Sequence, residues 1–69
     1  MIRVDHWTNG IWHVTSSRST HFIEVVKVMG HWQEDAPTDM FTIFKDGEMN
    51  QSYVRGFTNA IAYAKGIVE

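Results

Sequence analysis

Residues 2 to 29 alternate apolar and polar side chains and are dense in Val, Ile, Thr, Trp and Phe, the residue types that suit a pleated, half-buried surface. Two turn signals interrupt them, Asn9-Gly10 and the hydroxyl-rich run from Ser16 to Thr20, so three strands are predicted. The polar stretch from Gln33 to Asp39, with the single proline Pro37, reads as a loop, and Met40-Phe-Thr-Ile-Phe-Lys45 after it reads as a fourth strand. Two patterns compete for the remaining third. Val54, Phe57, Ile61, Ala64 and Val68 recur at alternating spacings of three and four, flanked by Tyr53, Ala60 and Ile67, which predicts an amphipathic helix beginning near Asn50 or Ser52. Alternatively, Asp46-Gly47 makes a type I′ turn with Lys45 facing Glu48, a fifth strand reaches Arg55, and a shorter helix is capped by Thr58. The long helix is the preferred reading, although Gly56 and Gly66 each cost up to about 1 kcal/mol in a helix interior. The expected fold is α+β: a small antiparallel β-meander of four strands, or five, with one C-terminal α-helix packed on one face, where Ala60 and Ala64 permit close approach.

Asn-Gly is the preferred pair for a two-residue type I′ turn because both central residues need positive φ. This turn at Asn9-Gly10 sets Thr8 opposite Ile11, Trp7 opposite Trp12, His6 opposite His13 and Val4 opposite Thr15. Trp7 and Trp12 then fall in a non-hydrogen-bonded pair, where side chains approach most closely. Over these eight residues the pattern resembles the designed tryptophan-zipper hairpins, a resemblance that implies no function. An even-length second hairpin puts Ser16 opposite His21, Val14 opposite Ile23 and Trp12 opposite Val25. One sheet face then carries Trp7, Trp12, Val14, Ile23, Val25 and Met29, and is taken as the core. The other carries His6, His13 and Glu24 in a row, flanked by Val4, Ile11, Phe22 and Val26.

The chain has 69 residues, room for one domain spanning residues 1–69 whose core supplies only a few kcal/mol (roughly 3 to 5). It has no cysteine, so disulfides and thiolate metal sites play no part. With 43% hydrophobic residues and a net charge of −2, the composition is that of a folded globule. No window is apolar enough for a membrane span, and a cytoplasmic protein is expected. The six basic residues, scattered along the chain, leave no electropositive footprint.

Candidate chemistry is sparse. His6, His13 and Glu24 are the one set of metal-ligating residues that the predicted register brings together, with a solvated polar row as the plainer reading. No pattern of a nucleophile elbow, a phosphate-cradling loop or a calcium loop surrounds the serines, glycines or acidic residues. No catalytic residue or cofactor is assigned, and an enzyme is not expected. Trp32, Phe22, Phe41 or Phe44, Met40, Met49 and Tyr53 exceed what one sheet face and one helix stripe can hide. Trp32, Phe22, Phe41, Phe44 and Tyr53 are therefore candidate interface residues, joined by Trp7 and Trp12 if the helix covers the Val4, Ile11, Phe22 and Val26 face instead. The expected function is a non-catalytic protein-binding module of the inhibitor type, including virus-encoded inhibitors, acting on a larger partner protein or by self-association as a homodimer. The alternatives are a weak nucleic-acid-binding or transcription-regulating domain using an aromatic sheet face, which the acidic balance disfavours, and a metal-dependent site at His6, His13 and Glu24.

Overall fold

Three strands with two intervening turns and a fourth strand are present where the hydrophobic pattern places them, followed by a fifth strand and a C-terminal helix shorter than in the preferred reading. The computed structural model describes residues 1–28 and 39–69. Strands β1 (Ile2–Thr8), β2 (Ile11–Ser16), β3 (Ile23–Lys27), β4 (Met40–Lys45) and β5 (Glu48–Arg55) pair antiparallel in chain order. Helix α1 (Phe57–Val68) returns across β2, β3, β4 and β5 on one face of the sheet. Met29, Trp32 and the residues predicted as loop from 33 to 38 lie outside the described residues.

The long helix from Asn50 or Ser52 does not form; residues 48–55 are β5. Two backbone constraints decide this. Asp46 and Gly47 adopt φ +53° and +88°, the type I′ pair that turns β4 directly into β5 with Lys45 opposite Glu48. Gly56 holds φ +87°, a conformation that a right-handed helix excludes and glycine adopts at little cost, so α1 starts at Phe57 with Gly56, and not Thr58, as its N-cap. The predicted stripe keeps Ile61, Ala64 and Val68 in the helix, while Val54 packs against the same core from β5.

β5 carries eight residues against six in β4, and its register slips twice, between Phe41 and Ile43 and again between Ile43 and Phe44. Thr42, buried on the sheet, donates its hydroxyl to Ser52 O at 2.7 Å beside this irregularity. A carbonyl displaced from the regular ladder thus keeps a hydrogen-bond donor.

The second hairpin has the predicted register, with Val14 opposite Ile23 and Trp12 opposite Val25. Its serines serve the turn: Ser16 Oγ accepts from Arg18 N–H and Ser19 Oγ from His21 N–H. The first hairpin differs. Thr8 still faces Ile11, but His6 faces Trp12, Asp5 faces His13 and Val4 faces Val14, so the register slips by one residue at Trp7. Only Gly10, at φ +80°, has positive φ in this turn; Asn9 does not, so the turn is not type I′. A positive-φ glycine beside a one-residue slip is the bulged form of hairpin that Asn-Gly also suits.

Val14, Ile23, Val25, Phe41 and Ile43 from the sheet and Ala60, Ile61, Ala64 and Val68 from α1 form the core. Each large apolar side chain buried there contributes about 1.5–3 kcal/mol. Ala60 and Ala64 have no exposed surface, consistent with the close approach that their small side chains allow. Trp12 completes the covered face, packed against Phe57 (ring centroids 4.8 Å apart) and Phe41 (5.9 Å). Trp7, expected beside it, is on the opposite face.

The two forms of the first turn differ in what they require of Asn9. Gly10→Ala is expected to cost about 1–2 kcal/mol because alanine resists positive φ, whereas Asn9→Ala costs under about 0.5 kcal/mol. Urea unfolding of the two variants checks this; equal large losses at both positions would indicate a type I′ turn instead.

Candidate interaction surface

The sheet face away from α1 carries Asp5, His13, Glu24, Phe44 and Met49 on successive strands, each in register with the next. His13 is its centre. Nε2 of His13 lies 3.3 Å from Glu24 Oε2, the two residues being directly opposed on β2 and β3. Trp7 stacks on the His13 ring with centroids 5.2 Å apart and an interplanar angle of 25°, and Phe22 approaches it at 4.6 Å, tilted by 59°. The imidazole is therefore held between two aromatic rings and one carboxylate, while those rings remain open to solvent: Trp7 is 64% exposed and Phe22 41%.

The slip at Trp7 creates this cluster. It turns the indole onto the uncovered face, and it moves His6 to the helix side, where His6 stacks on Trp12 at 4.8 Å. The predicted row of His6, His13 and Glu24 is thereby broken, because only His13 and Glu24 share a face. Among the described residues, no group of three His, Cys, Asp or Glu side chains is placed to hold a metal ion. Val4 also moves, from the open face to the helix side.

Of the other predicted interface residues, Phe41 is a core residue at 2% exposure and contributes packing, not contact surface. Trp12 is half-buried under Phe57, and Phe44 is half-buried on the open face. Tyr53 is exposed on the edge strand β5, with Met49 exposed on the same strand. Trp32 lies outside the described residues. The sequence places Phe22 and Glu24 on the face of His13 but Trp7 on the opposite, core face, so it misses the stacking of Trp7 on His13. That stacking depends on the slip in β1.

A second histidine–carboxylate pair anchors one end of the sheet. Asp46, in the β4–β5 turn, accepts from Phe22 N–H through Oδ1 at 2.8 Å and lies 2.7 Å from His21 Nδ1 through Oδ2. Its own backbone N–H donates to Phe22 O at 2.8 Å. The turn is thus clipped onto the segment that leads Phe22 into β3. The Phe22 amide, and after it the His21 ring, holds the Asp46 carboxyl below its usual value of 3.8.

Because the folded carboxyl ionises more readily than the unfolded one, its contribution is complete above the unfolded pKa and disappears as pH falls through the lower folded value. Thermal melts followed by circular dichroism are expected to show the wild type losing stability below about pH 4, with a shallower loss in Asp46→Asn. Asp46→Ala is expected to melt lower than Asp46→Asn at neutral pH, since alanine neither accepts the Phe22 hydrogen bond nor tolerates positive φ. An acid limb unchanged in Asp46→Asn would refute the assignment.

No helix among the described residues is long and apolar enough to cross a membrane. No protein-family model, curated protein or solved structure matches the chain.

Proposed function

We propose that the chain is a non-catalytic protein-binding module of the inhibitor type, which masks a site on a larger partner protein through the uncovered face of its sheet. The observation that carries this reading is the pair of exposed rings, Trp7 and Phe22, held on either side of His13. Aromatic anchors around a partly desolvated polar group have the composition of interface centres, where a few residues supply most of the binding energy. Trp7 stands on β1 and Phe22 immediately precedes β3, its amide bonded to Asp46, which limits the conformational entropy lost on contact.

The charge on this face favours a protein over a nucleic acid. Stacking rings that bind single strands work alongside a basic groove, but here Asp5 and Glu24 flank His13 in register. Arg3, the basic residue nearest on β1, is engaged with Asp5 at 3.0 Å. A partner presenting an apolar pocket with a hydrogen-bond donor or a cation for Glu24 fits this arrangement.

The test is affinity capture with wild-type and substituted bait, followed by titration against the captured protein. Trp7→Ala and Phe22→Ala are each expected to weaken binding by roughly tenfold or more, while changing fold stability by about 1 kcal/mol or less. Arg18→Gln, in the exposed turn at the far end of β2, is expected to bind like wild type. Equal capture by all four proteins would reject the open face as the contact surface.

A further inference from the structure

The two edges of the sheet are not equivalent. β5 has two register slips along its length, a device that keeps an edge from pairing with another strand. β1 has its one slip at Trp7, near its end, and is regular from Ile2 to His6.

The outward hydrogen-bonding groups of β1 follow from two bonds at opposite ends of the sheet. Ser17 N–H donates to Met1 O at 3.2 Å, and Lys27 N–H donates to Gly10 O at 2.7 Å. In an antiparallel ladder hydrogen-bonded pairs alternate, so the first bond directs the backbone groups of Arg3 and Asp5 toward β2. The second independently directs those of Trp12 and Val14 toward β3, leaving His13 and Thr15 to face Asp5 and Arg3. Both assign the free N–H and C=O groups of Ile2, Val4 and His6 to the open edge.

The side chains along this edge are self-complementary about Val4. The geometry points to a homodimer in which β1 pairs antiparallel with β1 of a second copy, with the two-fold axis at Val4. Val4 then exchanges backbone hydrogen bonds with its counterpart, and Ile2 does so with His6. Arg3 of each chain falls opposite Asp5 of the other, in non-hydrogen-bonded pairs where Cα atoms stand only about 4.5 Å apart and side chains meet best. The Arg3–Asp5 ion pair within one strand, 3.0 Å long and exposed, shows that both groups already lie on the same face.

The helix side supports the same occupant. α1 packs mainly on β2 to β5, and between it and β1 runs a shallow groove lined by Val4, Phe57, Thr58, Ile61, Ala62 and Lys65. Val4 is 38% exposed there and Phe57 40%. The two-fold axis sets one Val4 beside the other and joins the two grooves into a single apolar seam, while the continuous sheet removes both β1 edges. Asp5 borders both this edge and the open-face cluster at His13, but the dimer does not depend on the function proposed for that cluster.

The experiment uses untagged full-length chain, with light scattering from low micromolar to millimolar concentration and amide hydrogen exchange on the same samples. Wild type is expected to dimerise, and the Val4 and His6 amides to gain protection with concentration while those of Arg3 and Asp5 are protected throughout. Arg3→Asp and Asp5→Arg each place like charges across the axis, and each is expected to weaken self-association by roughly tenfold or more. An equimolar mixture of the two variants is expected to restore the dimer, because an acidic strand then faces a basic one. An ion pair within a single strand cannot produce that rescue. A wild-type monomer at every concentration, folded variants that dimerise unaided, or a folded mixture that stays monomeric would each overturn the proposal. Should the variants fail to fold, the Val4 and His6 amides of wild type decide it: protection that does not rise with concentration overturns it.

Discussion

The contact of Trp12 with Phe57 organises this small fold. Phe57 is the first residue of α1, placed over the sheet by the positive φ of Gly56, and its ring occupies the space beside Trp12 and against Phe41. On β1 the residue directly opposite Trp12 is His6, not Trp7. With the slip at Trp7, the smaller imidazole of His6 stacks at the rim of the cluster and the Trp7 indole turns to the other face. The aromatic packing under the helix is thus coupled to which residues are left outside.

Two surfaces result. On the uncovered face, His13 is held by rings on either side and by Glu24, a polar centre with exposed apolar shoulders. Along β1, the same slip ends the regular edge at His6, leaving a segment with opposite charges, Arg3 and Asp5, on either side of Val4. A chain without cysteine and with a core of this size gains from either kind of association, since covering β1 or the His13 face adds buried apolar surface that the monomer lacks.

The two glycine-containing hairpin turns show how tertiary contacts select among conformations that a dipeptide permits. Asn9-Gly10 and Asp46-Gly47 carry equivalent turn signals, yet only the second adopts positive φ at both residues. Asp46 is fixed there by its carboxylate, which bonds the Phe22 amide and the His21 ring across the sheet, and by its own amide, which returns a bond to Phe22 O. Asn9 stands next to the Trp7 slip, in a turn where Gly10 alone takes the left-handed conformation.

The alternation of apolar residues, the turn signals and the 3-4 stripe determined the fold class, the first four strands, the β2–β3 register and the alanine face of the helix. These are local or near-neighbour properties, for which strand period and turn length suffice. The tertiary structure decided three things that these signals leave degenerate. It made residues 48–55 an edge strand because Gly56 cannot continue a helix at φ +87°. It shifted β1 by one residue, which sets His6 rather than Trp7 opposite Trp12. In consequence it separated His6 from His13 and brought Trp7 to the latter, beside Phe22 and Glu24. In a strand one residue of register exchanges the faces, so the grouping of His13, Glu24 and Phe22 was legible in the sequence but the placing of Trp7 with them, and of His6 away from them, was not.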